Sequence, residues 1–361
     1  MPDFVLPFYS FCMQTVTSKE MTWLVGLLRF GLFGDAVPAD LPSDEGEWRS
    51  LFELSRSQAV TALLYDAIVL LPKEMRPPRS VLFHFATLTQ TIEDDNRRRE
   101  EALLSFASLC DGRLFIMPIV VKGSSLASRY PVPLHRECGD NDLLSGIETG
   151  RIAAMMEQMG VPVDRKDPRH ITFEYKGTTF ECHRYLLYHN DDPHWHRDKE
   201  FGDTCLDTLQ IEEEAFFLAK HCEHHAVFFH NPVRLRTLVD WSLMLGSKDF
   251  DFAAFDRIKR YSDVRVFADL MTLYCNELFG LHLRDGLEYL KDEGLKAADF
   301  DRLYMQCPQR HPNAVVRVAR RSWKYLRFDR YYRAIYGKSM FCRFYLSNLK
   351  VAIGNLFRRR I

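Results

Sequence analysis

Residues 121–144 have the sequence VKGSSLASRYPVPLHRECGDNDLL, and they carry the clearest structural signal in the chain. Two aspartates near its end, Asp140 and Asp142, are separated by a single residue. Because side chains alternate along a strand, both carboxylates lie on the same face if this segment is extended. Adjacent carboxylates repel each other, and a divalent cation such as Mg²⁺ offsets that repulsion. The pattern therefore predicts a cation site at these two aspartates.

A short polar turn precedes the aspartates. The apolar run at 114–121 ends at Lys122, and Gly123 and Ser124 follow at the start of a predicted helix. Free backbone N–H groups and the helix dipole at such a turn favour an anion, and Lys122 adds a positive charge within reach of a phosphate. The order strand, Gly-Ser turn, helix and Asp-x-Asp strand thus predicts a nucleotide-binding arrangement. The ordinary alternatives are that Ser124 caps the helix and that the aspartates form a turn.

These residues resemble the uncharacterised nucleotidyltransferase family, a part of the polymerase-β-like nucleotidyltransferase superfamily. The resemblance rests on the segment KGSSL at 122–126, Tyr130-Pro131, Arg136 and the segment GDNDLL at 139–144. It extends to helical flanks on both sides, up to about residue 250. Asn141 departs from the hydrophobic residue that is usual at its position, and the spacer between Ser124 and Asp140 is long for the superfamily.

The resemblance implies an α+β fold, with a small mixed-sheet nucleotidyltransferase core flanked by N-terminal and C-terminal helical regions. It also implies a third carboxylate on a later strand, for which Glu181 is the candidate. The implied activity is transfer of a nucleoside monophosphate from a nucleoside triphosphate to a hydroxyl acceptor. Two Mg²⁺ ions would be held by the catalytic carboxylates Asp140, Asp142 and Glu181. The substrate-binding candidates are Lys122, Gly123, Ser124, Arg136 and His183.

Several assignments stay open at this level. Arg136 suits a salt bridge to one of the aspartates or a substrate contact, and His183 suits an orienting group or a substrate contact. The sequence specifies neither the triphosphate nor the acceptor, which is a small molecule, a protein or a nucleic acid. The alternative from another class is a non-catalytic nucleotide-binding or scaffold protein with a basic tail that binds a membrane or a partner. A third is an antitoxin-like or self-modifying enzyme whose acceptor is a protein hydroxyl.

The chain divides into three predicted regions: an N-terminal helical region at 1–110, the core at 111–205, and a C-terminal helical domain with a basic tail at 206–361. Helices are predicted at 21–33, 48–71, 81–109 and 148–159, and almost throughout from residue 212 onward. Strands at 170–175 and 178–185 form a hairpin that turns at Lys176-Gly177. This hairpin places Glu181 on a strand that lies beside the strand of Asp140 and Asp142.

The composition indicates an intracellular enzyme. The chain of 361 residues is 47% hydrophobic and 27% charged, which is ordinary for a globular protein. Its nine cysteines are odd in number and lack a Cys-x-x-Cys pair, which favours reduced thiols over a disulfide framework. The N-terminus has no basic region typical of a signal peptide, and no apolar run is long enough to span a membrane. We therefore expect a cytoplasmic protein, with peripheral membrane association left open by the tail.

Residues 317–361 form the basic tail, which carries thirteen Lys or Arg residues against the single acid Asp329. Such a segment with interleaved aromatics can dock on anionic lipid, nucleic acid or an acidic partner. The ordinary alternative is a helix packed on the protein, and it is the outcome we expect. It predicts that the aromatic and apolar side chains are buried, namely Trp323, Phe328, Tyr332, Phe344 and Leu346.

A group of histidines has a spacing that also occurs in zinc sites. His221, His224 and His225 lie at i, i+3 and i+4 of a predicted helix, and His189, His194 and His196 lie in the preceding loop. Pairs at i, i+4 can share zinc, but the metalloprotease pattern His-Glu-x-x-His is not met, because Glu223 lies one position late. We therefore do not expect zinc.

Overall fold

The computed structural model describes residues 18–184, 195–201, 204–228, 231–259, 264–305, 322–337, 339 and 342. Within these residues helices surround one mixed sheet, which confirms the α+β class with helical flanks on both sides of the core. The helices before the sheet are α1 (Ser18–Phe33), α2 (Glu45–Gln58), α3 (Thr61–Leu70) and α4 (Arg79–Leu114). None of the described helices is both long enough and apolar enough to cross a membrane.

The predicted helix at 48–71 is in fact two helices. The Asp44 side chain caps α2 by accepting a hydrogen bond from the Glu47 N–H at 2.9 Å. This helix ends at Ala59, which has a left-handed φ of 56°. The following α3 is apolar on almost every side, and the change of direction at Ala59 allows both of its sides to be buried.

The sheet has seven strands in the order β3-β4-β5-β2-β1-β7-β6. Their bounds are β1 (Ile119–Val121), β2 (Asn141–Leu144), β3 (Val163–Asp164), β4 (His170–Tyr175), β5 (Thr178–His183), β6 (Trp195–Phe201) and β7 (Thr204–Leu209). The central β2 pairs antiparallel with β1 and parallel with β5. Two short helices lie between the strands: α5 (Gly123–Ala127) and α6 (Thr149–Gln158).

The hairpin of β4 and β5 confirms the predicted one. Lys176 and Gly177 both have positive φ, 49° and 73°, as the two central residues of a type I′ turn require. In contrast, the hairpin of β6 and β7 was not predicted, and β7 joins the sheet through a parallel pairing with β1.

The C-terminal half is helical, as predicted. Its helices are α7 (Ile211–Phe228), α8 (Leu235–Leu245), α9 (Phe252–Lys259), α10 (Arg265–Phe279), α11 (Tyr289–Asp292), α12 (Ala297–Phe300) and α13 (Asp329–Tyr336). Residues 322–327 are also helical and lead into α13.

Two main apolar clusters hold these elements together. The larger one joins α1 to α3 and the start of α4 with the C-terminal helices. The smaller one packs the second half of α4 and α6 on the sheet, where the rings of Phe106, Phe173 and Phe180 meet. The two helical regions therefore share one core, and α4 connects that core to the sheet. The division into three regions stays a prediction.

The start of the basic tail is only partly packed. Tyr325 and Tyr332 are buried, and Phe328 packs partly buried against the larger cluster. Trp323, however, is 66% exposed, so the expectation of its burial is wrong, and Leu326 is 50% exposed. The expectations for Phe344 and Leu346 concern residues outside those described.

Candidate active site

The pairing of β2 with β5 brings acidic and histidine side chains together. Asp142 lies opposite Glu181 in the parallel register, and Leu144 lies opposite His183. The His183 Nε2 atom lies 3.0 Å from Asp142 Oδ1 and 3.6 Å from Glu181 Oε2. One ligand atom from each of Asp142, Glu181 and His183 lies within 4.8 Å of the other two. The predicted position of Glu181 beside Asp142 is confirmed.

Lys122 supplies the positive charge next to this cluster. Its Nζ lies 2.8 Å from Asp142 Oδ2 and 5.4 Å from the centroid of the Phe217 ring. Burial by itself would raise the pKa of Asp142, but Lys122 and the hydrogen bond from His183 outweigh it. They hold the pKa of Asp142 well below its usual range, so this carboxylate is ionised at neutral pH.

Asp140 has a different position from Asp142. It lies just before β2 and is half-buried, and it does not belong to the converging group of Asp142, Glu181 and His183 found among the described residues. Repulsion by Asp142, followed by burial, raises the pKa of Asp140. Burial, followed by repulsion from Asp142 and Asp140, raises the pKa of Glu181. Because the pKa values of Asp140 and Glu181 are both raised, a further positive charge beside these two carboxylates would stabilise their ionised forms.

The polar turn has the conformation of a strained connection. Lys122 and Gly123 both have positive φ, 55° and 35°. Glu214 of α7 fixes this turn through two hydrogen bonds. Its carboxylate accepts one from the Lys122 backbone N–H at 3.0 Å and one from the Ser125 hydroxyl at 2.9 Å. Glu214 is fully buried, whereas Ser124 is half-buried. No sequence motif singles out Glu214 as a residue of the site.

The sequence model of the uncharacterised nucleotidyltransferase family matches residues 44–280, which is more than half of the chain. The chain belongs to this family. The match begins at the N-cap of α2 and ends at Gly280, the C-cap of α10. Comparisons with curated proteins and with solved structures give no match.

Arg136 forms a buried ion pair. Its Nε and Nη2 donate to the two carboxylate oxygens of Asp240 in α8, at 2.7 Å and 2.8 Å. Its Nη1 also donates to the Gly123 carbonyl at 3.3 Å, and Tyr130 donates to Asp240 at 2.5 Å. Arg136 therefore forms its salt bridge with Asp240 and not with Asp140 or Asp142, the two partners that the sequence suggested. Through Gly123 it connects the turn to the helical half.

One face of α7 lies beside the cluster of Asp142, Glu181 and His183. The Phe217 ring meets the His183 ring edge to face at 6.2 Å, and the His221 ring stacks on that of His225 at 4.2 Å. Burial, followed by the charge of Lys122 and by His225, lowers the pKa of His221 well below its usual range. Burial and Lys122 also lower the pKa of His225 to about 4. These two imidazoles are therefore neutral at pH 7.

The histidines considered for zinc have separate environments. His224 points to Arg169, whose Nη1 lies 3.2 Å from its Nε2, while His221 and His225 stack on each other. His189 and His194 lie outside the described residues, and His196 lies in β6. Among the described residues, the group with metal-ligand geometry is the one formed by β2 and β5.

Proposed function

We propose that this protein transfers a nucleoside monophosphate from a nucleoside triphosphate to a hydroxyl acceptor. One observation supports the proposal above the others: Asp142 and Glu181 are in register on adjacent strands, beside the turn that begins at Lys122. A fixed acidic pair next to a phosphate-binding turn is the arrangement that phosphoryl chemistry needs, because the reaction depends on positioning and charge neutralisation.

The residues present fit a divalent cation. Asp140, Asp142 and Glu181 are close enough to raise the pKa values of Asp140 and Glu181, and Lys122 neutralises only one carboxylate. In the proposed site these three carboxylates hold Mg²⁺, with two ions as the expected number. Such ions neutralise the charge that develops on the attacking and leaving oxygens.

The protein groups then have separate tasks. The backbone at Gly123 and Ser124 binds the triphosphate, and Lys122 turns from Asp142 to a phosphate oxygen. Glu181 or the second ion would help to deprotonate the acceptor hydroxyl. The bond between the acceptor oxygen and the α-phosphorus forms as the bond from that phosphorus to pyrophosphate breaks, and pyrophosphate leaves. In the metal-free site His183 orients Asp142 through its hydrogen bond.

The test is a transfer assay. Purified protein is incubated with Mg²⁺, with each α-labelled nucleoside triphosphate in turn, and with a mixture of metabolites and proteins. We expect label on an acceptor together with pyrophosphate, and a loss of at least about a hundredfold in Asp142→Asn. Asp164→Asn in β3 is the matched control, because its side chain is 49% exposed and pairs only locally with Lys166.

The main alternative is a protein that binds nucleotides without transferring them. It predicts nucleotide binding that Asp142→Asn weakens, with no label on any acceptor and no pyrophosphate. Label appearing on the protein itself would instead support the self-modifying form of the enzyme. The acidic cluster favours the enzyme, because a scaffold has no need for adjacent buried carboxylates.

A second proposal concerns the basic tail. Trp323, Leu326 and Arg327 are exposed on the helical residues 322–327, at i, i+3 and i+4, and Arg330 is exposed at the start of α13. Aromatic and apolar side chains next to arginines suit the interface of an anionic membrane. We propose a cytoplasmic protein that attaches peripherally to such a surface through these residues.

A further inference from the structure

His183 lies where a metal ligand would lie. Its Nε2 is 3.0 Å from Asp142 Oδ1 and 3.6 Å from Glu181 Oε2. Neighbouring ligands of one ion with bonds of roughly 2.1 Å are separated by roughly 3.0 Å in an octahedron and roughly 3.4 Å in a tetrahedron. The two distances from His183 therefore match the spacing of ligands around a single ion, and the donor atoms of all three residues lie within 4.8 Å of one another.

The second oxygen of Asp142 is occupied separately. Lys122 Nζ lies 2.8 Å from Oδ2, whereas His183 faces Oδ1. An ion on Oδ1 therefore need not displace the lysine from Oδ2. The His183 ring is also fixed in place, since it packs against Phe217 at 6.2 Å and against His170 at 5.1 Å between ring centroids. A fixed imidazole beside two carboxylates forms a mixed nitrogen and oxygen donor set.

We propose that Asp142, Glu181 and His183 form a site that selects a first-row transition-metal ion, with Mn²⁺ as its best match, over Mg²⁺. Mg²⁺ prefers oxygen ligands and retains its waters, whereas later divalent metals gain from an imidazole nitrogen. Mn²⁺ accepts a nitrogen ligand and also suits the two carboxylate ligands that the site offers. Any second ion, at Asp140, keeps an all-oxygen environment.

The catalytic use of this preference rests on the proposed function, but the binding preference itself does not. Direct titration of the full-length protein with Mn²⁺ and with Mg²⁺, in the absence of nucleotide, measures it by calorimetry. We expect Mn²⁺ to bind at least about tenfold more tightly than Mg²⁺. His183→Asn should remove most of that advantage while changing Mg²⁺ affinity by less than about threefold. Equal affinities in the wild type would overturn the proposal.

The matched control is His282→Asn, because His282 has a 79% exposed side chain and pairs with Asp285 far from the cluster along the chain. It should leave both affinities unchanged. An equal loss of Mn²⁺ affinity in His282→Asn and His183→Asn would contradict a specific role for His183.

A spectroscopic measurement on the wild type keeps the proposal testable if His183→Asn does not fold. Electron spin echo modulation of bound Mn²⁺ detects a directly coordinated ¹⁴N nucleus. We expect ¹⁴N modulation, and modulation from water protons alone would overturn the proposal. Nitrogen ligation without any transfer activity would refute the proposed function only, whereas transfer with Mg²⁺ and no nitrogen ligation would refute this inference only.

Discussion

At the scale of single residues, the site depends on side chains that fix the turn as much as on the carboxylates beside it. Glu214 accepts hydrogen bonds from the Lys122 N–H and the Ser125 hydroxyl in a fully buried position. Without it, two buried donors lose their partner and the positive φ values at Lys122 and Gly123 lose their support. Glu214 is therefore a positioning residue for the proposed phosphate contact.

Replacing Glu214 by alanine should lower both stability and triphosphate affinity. Each buried donor left without a partner costs about 1–3 kcal/mol, so we expect a loss of about 3 kcal/mol in the free energy of unfolding by urea. At temperatures where Glu214→Ala is folded, its triphosphate affinity should still be lower than that of the wild type, so that unfolding does not account for the loss. Glu214→Gln keeps one carbonyl acceptor and should recover part of both quantities. Normal nucleotide affinity in folded Glu214→Ala would remove Glu214 from the site.

Sequence reasoning could identify the carboxylates but not these partners. Asp142 and Glu181 belong to local patterns, and their meeting follows from a predictable hairpin. Glu214 is one of three successive glutamates at a helix start, where acids are common because they favour the helix dipole. Arg136 and Asp240 are 104 positions apart in the sequence, and no local sequence pattern predicts such a contact.

At the scale of elements, local sequence predicts some of the strands and not others. Lys176-Gly177 between alternating segments predicts β4 and β5 directly. The WHRDKEF segment of β6 lacks a clear alternation of apolar and polar residues, and β7 reaches the sheet by a parallel pairing with a distant strand. Such a pairing depends on tertiary context, which overrides local preference.

Another element-scale contact connects α3, α4 and the segment before β2. His135 Nδ1 lies 2.7 Å from Asp66 Oδ2 in α3, and its Nε2 lies 3.0 Å from Glu93 Oε1 in α4. Glu93 is also paired with Arg97 at 2.6 Å. Burial by itself would lower the pKa of His135, but the hydrogen bonds to Asp66 and Glu93 outweigh it and raise that pKa.

This contact should make part of the stability dependent on pH. Because the folded-state pKa is raised, the stabilisation is fully present below the unfolded value of about 6.5 and is lost as pH rises through the folded value. We expect His135→Asn to be less stable than the wild type by about 1–2 kcal/mol at pH 5.5, with a smaller difference at pH 9. Urea denaturation across this range measures the difference.

The control is His84→Asn, because His84 is an exposed histidine on α4, the helix that carries Glu93. Its stability difference from the wild type should be small at every pH. A constant difference between His135→Asn and the wild type from pH 5.5 to 9 would mean that charge on His135 does not contribute.

At the scale of the whole molecule, one apolar core unites the chain on either side of the sheet. The family match runs from α2 to the end of α10 and so includes both helical parts of that core. The basic tail lies beyond the matched residues, yet Tyr325 and Tyr332 enter the same core. Within residues 322–337, the tail therefore packs Tyr325 and Tyr332 into the core and exposes Trp323 and Leu326.

The exposed residues of the tail should bind anionic vesicles. Trp323 and Leu326 are 66% and 50% exposed, so they can enter a lipid interface without unpacking the core, and each nearby Lys or Arg adds about 1 kcal/mol at an anionic surface. We expect the full-length protein to sediment with phosphatidylserine-containing vesicles but not with purely zwitterionic ones. The double variant Trp323→Ser, Leu326→Ser should stay mostly in the supernatant with an unchanged melting temperature.

These point substitutions test the exposed residues better than a chain ending before Arg317, because truncation would also remove the buried Tyr325 and Tyr332. The comparison variant Phe83→Ser removes a side chain that is 69% exposed on α4, away from the tail, and should sediment like the wild type. Binding to single-stranded nucleic acid with a steep salt dependence, and none to vesicles, would assign the exposed residues to a nucleic acid instead. If the wild type stays in the supernatant with every vesicle, the exposed tryptophan has no part in attachment, and the arginines beside it are ordinary solvated surface.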